Sequence, residues 1–273
     1  MTGSGALQYK GKQITANWGF TQSAVGFPFS LEDFIADHIA EDSTVTVNQA
    51  GTATTAAAIT AGAGGASLQH THGGWLLGSV DNVDAEIDEV ALGAKPWLVP
   101  TAAGVGLIWG EVGFVVPTAL TARQYGFYLT DDETEGTATN GSVNIDGTTN
   151  VVAVADDAAG FIMSSLATDP DGWYTGNVIA TTAVADATNT GLTAIVDRYT
   201  KLRVEIDASG NAYYYGKVCG AATGGRGIQM SLVGSKATAV TATVALIPIF
   251  TAAPTTTTGV EWEIDYIAGG ATI

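Results

Sequence analysis

Residues 200–218 read T-K-L-R-V-E-I-D-A-S-G-N-A-Y-Y-Y-G-K-V. In the first half, Leu202, Val204 and Ile206 alternate with charged residues, which is the period-two pattern of a strand with one buried face. The A-S-G-N stretch at 208–211 supplies the small, conformationally permissive residues that a tight turn needs. An aromatic-rich stretch then favours a returning strand. The sequence therefore predicts a β-hairpin whose residues Val204 and Ile206 point into a core.

Short apolar and β-branched stretches, separated by Gly, Asn and Asp, recur along most of the chain. This pattern predicts an all-β, antiparallel sandwich. The sequence lacks the alternation of helical and strand patterns that indicates a parallel α/β fold. Besides the hairpin, the predicted strands cover residues 44–47, 67–72, 83–90, 105–116, 124–129, 143–145, 161–165, 178–182, 228–233, 240–250 and 260–267.

One short helix is predicted near the N-terminus, over residues 30–41. Ser30 can cap it, and Glu32 and Asp33 lie in the first turn, where the helix dipole favours acidic side chains. Apolar residues recur with helical spacing along one side. We expect residues 1–42 to form an arm that contains this helix, and residues 43–273 to form the sandwich.

The predicted arm carries large aromatic side chains on a segment without periodicity. Burying one such side chain contributes about 1.5–3 kcal/mol, so the arm can supply binding energy for a neighbouring subunit. Two lysines in the arm would then meet acidic surface. Alternatively, the arm folds back and covers an edge of its own sandwich. The predicted partner-binding residues are Lys10, Lys12, Trp18, Phe20, Phe27 and Phe29.

The composition is acidic and poor in charge. The formal net charge is −17, and the interval between Arg123 and Arg198 contains eleven acidic residues and no basic one. Binding to nucleic acid through phosphates needs a basic patch, so nucleic acid is excluded, and an anionic membrane is disfavoured. Charged residues make up only 14% of the chain. Such a surface is buried against neighbours at little desolvation cost, so we expect a homo-oligomer, with a trimer favoured.

Cysteine content and the N-terminus indicate the folding environment. The single cysteine, Cys219, excludes an intrachain disulfide, and residues 1–13 lack the apolar core of a signal peptide. We therefore expect folding in a reducing cytoplasm.

The hairpin resembles a pattern of concanavalin A-like jelly rolls, in which an L-x-V-E-I-D strand is followed by a Gly-Asn turn and an aromatic strand that ends in Gly. The V-E-W-E-I-D-Y-I stretch at 260–267 resembles the closing strand of that fold. Segments 109–116 and 125–131 stand where the fold places its central strands. The resemblance covers residues 104–267 and implies an antiparallel jelly-roll sandwich.

Jelly-roll domains rich in Ala, Thr and Gly recur among the structural proteins of tailed bacteriophages, including capsid cement or decoration proteins. This chain resembles them in its predicted fold and its composition. This resemblance implies a virion structural protein that binds the major capsid protein or other virion subunits and is not an enzyme. It would be located in the virion after assembly in the host cytoplasm. One alternative is a carbohydrate- or receptor-binding appendage module, for which tryptophans would offer a stacking platform: Trp75, Trp97, Trp109, Trp173 and Trp262. Their strand contexts, however, favour the core for most of them.

A jelly-roll glycosidase is the third hypothesis. Retaining glycosidases of this fold carry an E-x-D-x-(x)-E pattern, which places a nucleophile and an acid on one face of a strand. The E-I-D triplets at 86–88, 205–207 and 263–265 all lack the final acid. Two alternating acidic sets depart from the family's order of residue types, and a solvated strand face explains them, so we predict no catalytic residue. These sets are Asp84-Glu86-Asp88 and Glu261-Glu263-Asp265.

Two other features contain residue types that bind metal ions. Gln69-His70-Thr71-His72 places two imidazoles on one strand face but offers no third ligand. The oxygen-rich stretches 131–135 and 169–172 have the ligand chemistry of calcium, and they are also ordinary turn sequences. We predict no metal site and no cofactor.

Overall fold

The protein is all-β in the part of the chain that the structure describes. None of these residues belongs to a helix with the length and apolarity that a membrane crossing needs. The computed structural model describes residues 7–9, 12–14, 29–32, 45–49, 52–55, 65–69, 75–80, 88–92, 97–98, 106–131, 143–146, 150–153, 155–183, 187–220, 228–242, 244–256 and 259–272.

Two antiparallel sheets form the sandwich. The eight-stranded sheet has the spatial order β20 (Ser231–Lys236), β19 (Ala212–Val218), β18 (Tyr199–Asp207), β10 (Leu107–Val115), β22 (Val260–Thr272), β7 (Trp75–Val80) and β6 (Gly65–Gln69), and β3 (Phe29–Glu32) also pairs with β22.

The ten-stranded sheet has the order β16 (Thr182–Ala183), β15 (Gly172–Ile179), β14 (Ala158–Ser164), β11 (Arg123–Thr130), β21 (Ala245–Pro254), β8 (Asp88–Leu92), β4 (Val45–Gln49) and β5 (Thr52–Thr55). In addition, β17 (Thr188–Thr193) pairs with β15, and β9 (Trp97–Leu98) pairs with β21. Two separate hairpins consist of β1 (Leu7–Tyr9) with β2 (Lys12–Ile14) and of β12 (Val143–Asp146) with β13 (Asn150–Ala153). The predicted antiparallel sandwich is confirmed.

The predicted hairpin is β18 and β19. Val204 lies opposite Tyr214, and both side chains are buried between the sheets, as is Ile206. The turn contains Gly210 at a φ of 76°, and a Cβ at this position would lie 2.3 Å from the carbonyl oxygen of Val240. A glycine is therefore required there by both the backbone conformation and the close approach.

Aromatic rings from both sheets fill the centre of the core. The Phe114 ring on β10 lies 5.7 Å from Trp173 on β15 and 5.0 Å from Phe250 on β21. Phe250 in turn lies 5.9 Å from Trp262 on β22. Because tilted and edge-on rings at these separations attract each other beyond their area burial, these contacts bind the sheets together at their middle.

Several predicted elements differ from the structure. Phe29–Glu32 form β3, which pairs with residues 267–270 of β22, so the predicted helix over residues 30–41 does not begin at Ser30. The backbone edge of β22 offers ladder hydrogen bonds that a local helical pattern does not reveal. Residues 33–41 and the predicted boundary at 42–43 lie outside the described residues. The strand expected over 178–182 is divided: Val178 and Ile179 end β15, residues 180–181 form a turn, and Thr182 begins β16.

Candidate functional site

The outer face of the eight-stranded sheet, which points away from the core, holds buried charges. Glu111 on β10 is 0% exposed and Lys201 on β18 is 1% exposed. The two lie on one face with Trp109 and Arg203, because Glu111 is paired in register with Arg203, and Trp109 with Glu205. Charged side chains are almost never fully buried unless they are paired, so this burial marks a specific arrangement.

Glu111 is the centre of an ionic cluster. Its Oε1 accepts a hydrogen bond of 2.5 Å from the Tyr266 hydroxyl and lies 2.9 Å from Lys201 Nζ. Its Oε2 accepts a bond of 3.2 Å from Arg203 Nη1. Each carboxylate oxygen therefore has a charged partner, which offsets the desolvation cost of burying it.

Arg203 connects this cluster to the surface. Its Nε donates a 2.7 Å hydrogen bond to Glu205 Oε1, while Nη1 contacts Glu111. The guanidinium lies 4.4 Å from the centre of the Trp109 ring, a favourable cation–π geometry. Three partners thus fix an arginine side chain that is still 14% exposed. Because the side chain is already ordered, a ligand that binds to it does not have to offset its loss of conformational entropy.

Two tyrosines on β19 lie beside these groups. Tyr213 donates its hydroxyl to Asp207 Oδ2 at 3.1 Å, and this bond raises the pKa of Tyr213. Burial, then the charge of Glu205 and a hydrogen bond to it, raise the pKa of Tyr215. Each tyrosine thus interacts with a carboxylate of β18, so the two rings lean across the hairpin in the same direction. Their Cα atoms are about 7 Å apart, the spacing of alternate strand residues.

Asp207 has a structural task in the turn. It accepts hydrogen bonds from the Ser209 and Asn211 backbone amides, from the Asn211 side-chain amide and from Tyr213. Partial burial alone would raise the pKa of Asp207, but these bonds outweigh it and hold the pKa below its usual value.

These outward side chains form one continuous surface that crosses four strands. Leu232 on β20 extends it, because it is paired with Tyr215 and is 55% exposed. We call this surface the hairpin face, and it consists of Trp109, Arg203, Glu205, Asp207, Tyr213, Tyr215 and Leu232.

Gly113 makes room for the tyrosines that support the cluster. A Cβ at Gly113 would lie 2.1 Å from the Tyr199 hydroxyl oxygen and 2.6 Å from the Tyr266 ring. Tyr199 donates to Asp265 at 2.8 Å. The missing side chain on β10 therefore lets two rings pack over the strand, and one of them reaches Glu111.

The core position that strand context favours for most of the tryptophans is confirmed for two of them. Trp173 and Trp262 are 0% exposed in the core between the sheets, so these two cannot stack on a ligand. Trp109 lies on the hairpin face under Arg203. Trp75 and Trp97 begin β7 and β9, and their side chains lie outside the described residues.

Among the acidic strand residues, Asp265 differs from the sequence-based interpretation as a solvated strand face, whereas Glu261 agrees with it. Asp265 is 2% exposed and accepts a hydrogen bond from Tyr199, so it is not part of a solvated strand face. Glu261 is exposed. Asp88 lies on β8, whereas Asp84 and Glu86 lie outside the described residues.

The stretch at 169–172 has the hydrogen bonding of a turn. Gly172 donates its amide to the Asp169 carbonyl at 3.0 Å, and the Asp169 carboxylate accepts from the Asn189 side chain at 3.1 Å. Asp131 accepts from the Asp157 amide. In the described ranges no group of three or more His, Cys, Asp and Glu side chains is placed to hold a metal ion. His70, His72 and residues 132–135 lie outside those ranges.

The six predicted partner-binding residues are not tested by the structure. Lys12 lies on β2 and Phe29 on β3. Lys10, Trp18, Phe20 and Phe27 lie outside the described residues. Their proposed contact with a neighbouring subunit stays a prediction.

The sequence carries a signal for Glu111, Lys201 and Arg203, which are not among the predicted site residues. Glu111 is a lone acid in the apolar strand L-I-W-G-E-V-G-F-V, on the face opposite Val112. Lys201 and Arg203 share the outward face of β18 by simple alternation. What the sequence lacked was the pairing of β10 with β18 that brings these charges together.

Several solved structures are similar to this protein over most of the chain. A protein of unknown function from Shewanella oneidensis is similar over 93% of this chain and 90% of its own, with a TM-score of 0.51 and 14% identity. Peanut lectin is similar over 91% and 98%, with a TM-score of 0.52 and 10% identity. The Ulex europaeus lectin I, in complex with the methyl glycoside of α-L-fucose, is similar over 89% and 98%, with a TM-score of 0.52 and 10% identity.

The chain has a lectin-like jelly-roll fold. At these identities the likeness shows the fold alone. No protein-family model matches the chain, and no curated protein matches it significantly.

Proposed function

We propose that the protein is a carbohydrate-binding module and that the hairpin face is its binding site. The observation that carries this proposal is the row of Tyr213 and Tyr215, each tied to a carboxylate, beside the partly exposed Arg203–Glu205 pair. A sugar has apolar ring faces and hydroxyls that both donate and accept. Aromatic rings next to a fixed donor and a fixed acceptor match both properties.

The fold supports the proposal by analogy. Solved lectins share this jelly roll, and one of them is described with a bound fucoside. A protein described as a glycosidic hydrolase is also similar, with a TM-score of 0.52 and 10% identity. We favour binding without hydrolysis, because all three E-I-D triplets lack the final acid of the E-x-D-x-(x)-E pattern that retaining glycosidases of this fold carry.

A glycan array tests the proposal. We expect the purified protein to bind at least one saccharide, and Tyr215→Ala to weaken that binding about tenfold through the lost ring contact. Tyr213→Phe keeps its ring and should bind like the wild type. Ile195→Ala, which removes an exposed apolar side chain away from the hairpin face, is the matched control. An array without any bound saccharide, or equal losses in Tyr215→Ala and Ile195→Ala, would contradict the proposal.

The capsid-decoration function stays a second prediction, carried by sequence resemblance and composition. With it stand the expected trimer and the contact with the major capsid protein. A carbohydrate-binding module is compatible with a place on a virion appendage. Light scattering at high micromolar concentration tests the oligomer, and protein analysis of purified particles tests the location. A monomer that is missing from the particle would contradict this prediction.

A further inference from the structure

The hydrogen bonds of the hairpin face indicate which saccharides it takes, an inference that rests on the proposed function. Both carboxylate oxygens of Asp207 are occupied, since together they accept from four donors within the turn. Glu205 is different: Arg203 bonds to only one of its oxygens, Tyr215 is its other described partner, and its side chain is 17% exposed. Glu205 is therefore the carboxylate that an arriving ligand meets.

Arg203 is the corresponding donor. Two of the five guanidinium N–H groups are used, one for Glu205 and one for Glu111, so donors are left for a ligand. Its positive charge, however, is already shared by two carboxylates. An anionic ligand would gain little attraction from this arginine and would have to approach Glu205.

The other charges near the site do not reverse this balance. Lys201 is buried and bound to Glu111. Lys217 is exposed on β19, opposite Lys201 and two residues beyond Tyr215. A solvated ammonium group contributes little to binding at physiological salt.

We propose that the hairpin face selects neutral, hydroxyl-rich saccharides and discriminates against sugars that carry a carboxylate or a sulfate. A sugar hydroxyl donates to Glu205 and accepts from Arg203, so it satisfies both groups at once. A uronate carboxylate satisfies only Arg203 and leaves Glu205 next to a like charge. A sulfate group does the same.

Matched sugar pairs test this selection. The probes are immobilised oligosaccharides of glucose, galactose and mannose, compared with their glucuronate, galacturonate and mannuronate counterparts. We expect the affinity for the best-bound neutral oligosaccharide to be about tenfold higher than the affinity for its uronate counterpart. Glu205→Gln keeps an acceptor but removes the charge, so the discrimination should shrink about fivefold, the effect of one like-charge contact at about 4 Å in water. Lys217→Gln, a charge change on the same strand, should leave the preference for the neutral sugar in place.

Salt dependence gives a second test on the wild-type protein alone, should Glu205→Gln fail to fold. Added NaCl should leave binding of the neutral sugar unchanged and strengthen the weak binding of its uronate, because salt screens the repulsion. A uronate that binds more tightly than its neutral counterpart, or an unchanged preference in Glu205→Gln, would overturn this inference and leave the carbohydrate-binding function standing. Failure to bind any probe would instead defeat the proposed function.

Discussion

The two faces of the β10–β18 pair bury very different side chains with equal completeness. On the inner face, Val112 and Val204 are 0% exposed among apolar neighbours, and on the outer face Glu111 is 0% exposed among cations and a tyrosine hydroxyl. Apolar burial is non-directional and stabilises the fold in proportion to area. An ion pair is directional, and its burial adds little net stability but fixes the positions of its members. The inner face thus holds the sheets together, whereas the outer face positions a surface.

The largest effect is expected from placing a charge on the wrong face. Ile206→Asp would bury a carboxylate without a partner in the core, and we expect a loss of roughly 5 kcal/mol in the free energy of unfolding. Chemical denaturation measures it. Glu205→Gln, one residue away on the outer face, is the control and should change the unfolding free energy by less than 1 kcal/mol. Equal losses would mean that the two faces have been exchanged.

The outer face should respond to the removal of a charge instead. Glu111→Ala leaves the buried Lys201 without its carboxylate, and we expect a loss of about 3 kcal/mol. Combining Glu111→Leu with Lys201→Met removes both charges and should recover most of this loss, because an apolar pair needs no compensation. Denaturation of the single and double variants measures the difference. A double variant as unstable as Glu111→Ala would show that the pair adds stability of its own.

The turn that joins the strands offers a smaller effect with an internal control. Gly210→Ala combines a positive φ with a Cβ that would lie 2.3 Å from a backbone oxygen, so we expect a loss of about 2 kcal/mol. Gly191 has a similar φ of 75° and nothing within 4 Å of its Cβ position, so Gly191→Ala should lose only about 1 kcal/mol. Thermal unfolding of both variants separates the cost of the positive φ, which both share, from the cost of the steric clash, which only Gly210→Ala has. Identical melting temperatures would argue against the close contact with Val240.

The smallest effect concerns pH. The pKa of Asp207 lies below its ordinary 3.8 in the folded protein, so the carboxylate stabilises the fold above that pH, and its contribution is lost as pH falls through the lower folded value. Asp207→Asn should flatten the acid side of the stability curve and leave the neutral side nearly parallel to the wild type. Melting temperatures between pH 7 and pH 2 measure this. An unchanged slope below pH 4 would show that the turn does not depend on the charge.

Local pattern was enough to predict one face of the sheet and not the other. Alternation in 200–206 placed Val204 and Ile206 in the core, because the inner face needs only apolar side chains at every second position. The role of Glu111 depends on Arg203 and Tyr266, which are 92 and 155 residues away in the chain. A lone acid in an apolar strand does not reveal such partners.

Dependence on distant partners also explains why the predicted helix does not begin at Ser30. Residues 29–32 contain a capping serine and an early acid, which locally favour a helix start. Pairing with β22, more than two hundred residues further along the chain, places them in a strand. Trp173 and Trp262 show the opposite case, because their strand context is enough to indicate the core, where both side chains are 0% exposed.

Gly113 has a consequence for how this sequence can evolve. The space of its absent Cβ is taken by Tyr199 and Tyr266, which belong to two different strands on either side of β10. A relative with a larger residue at position 113 must therefore carry smaller residues in place of the tyrosines, and the Glu111 carboxylate then loses the Tyr266 hydroxyl. We expect the three positions to vary together among homologues, as one inherited unit.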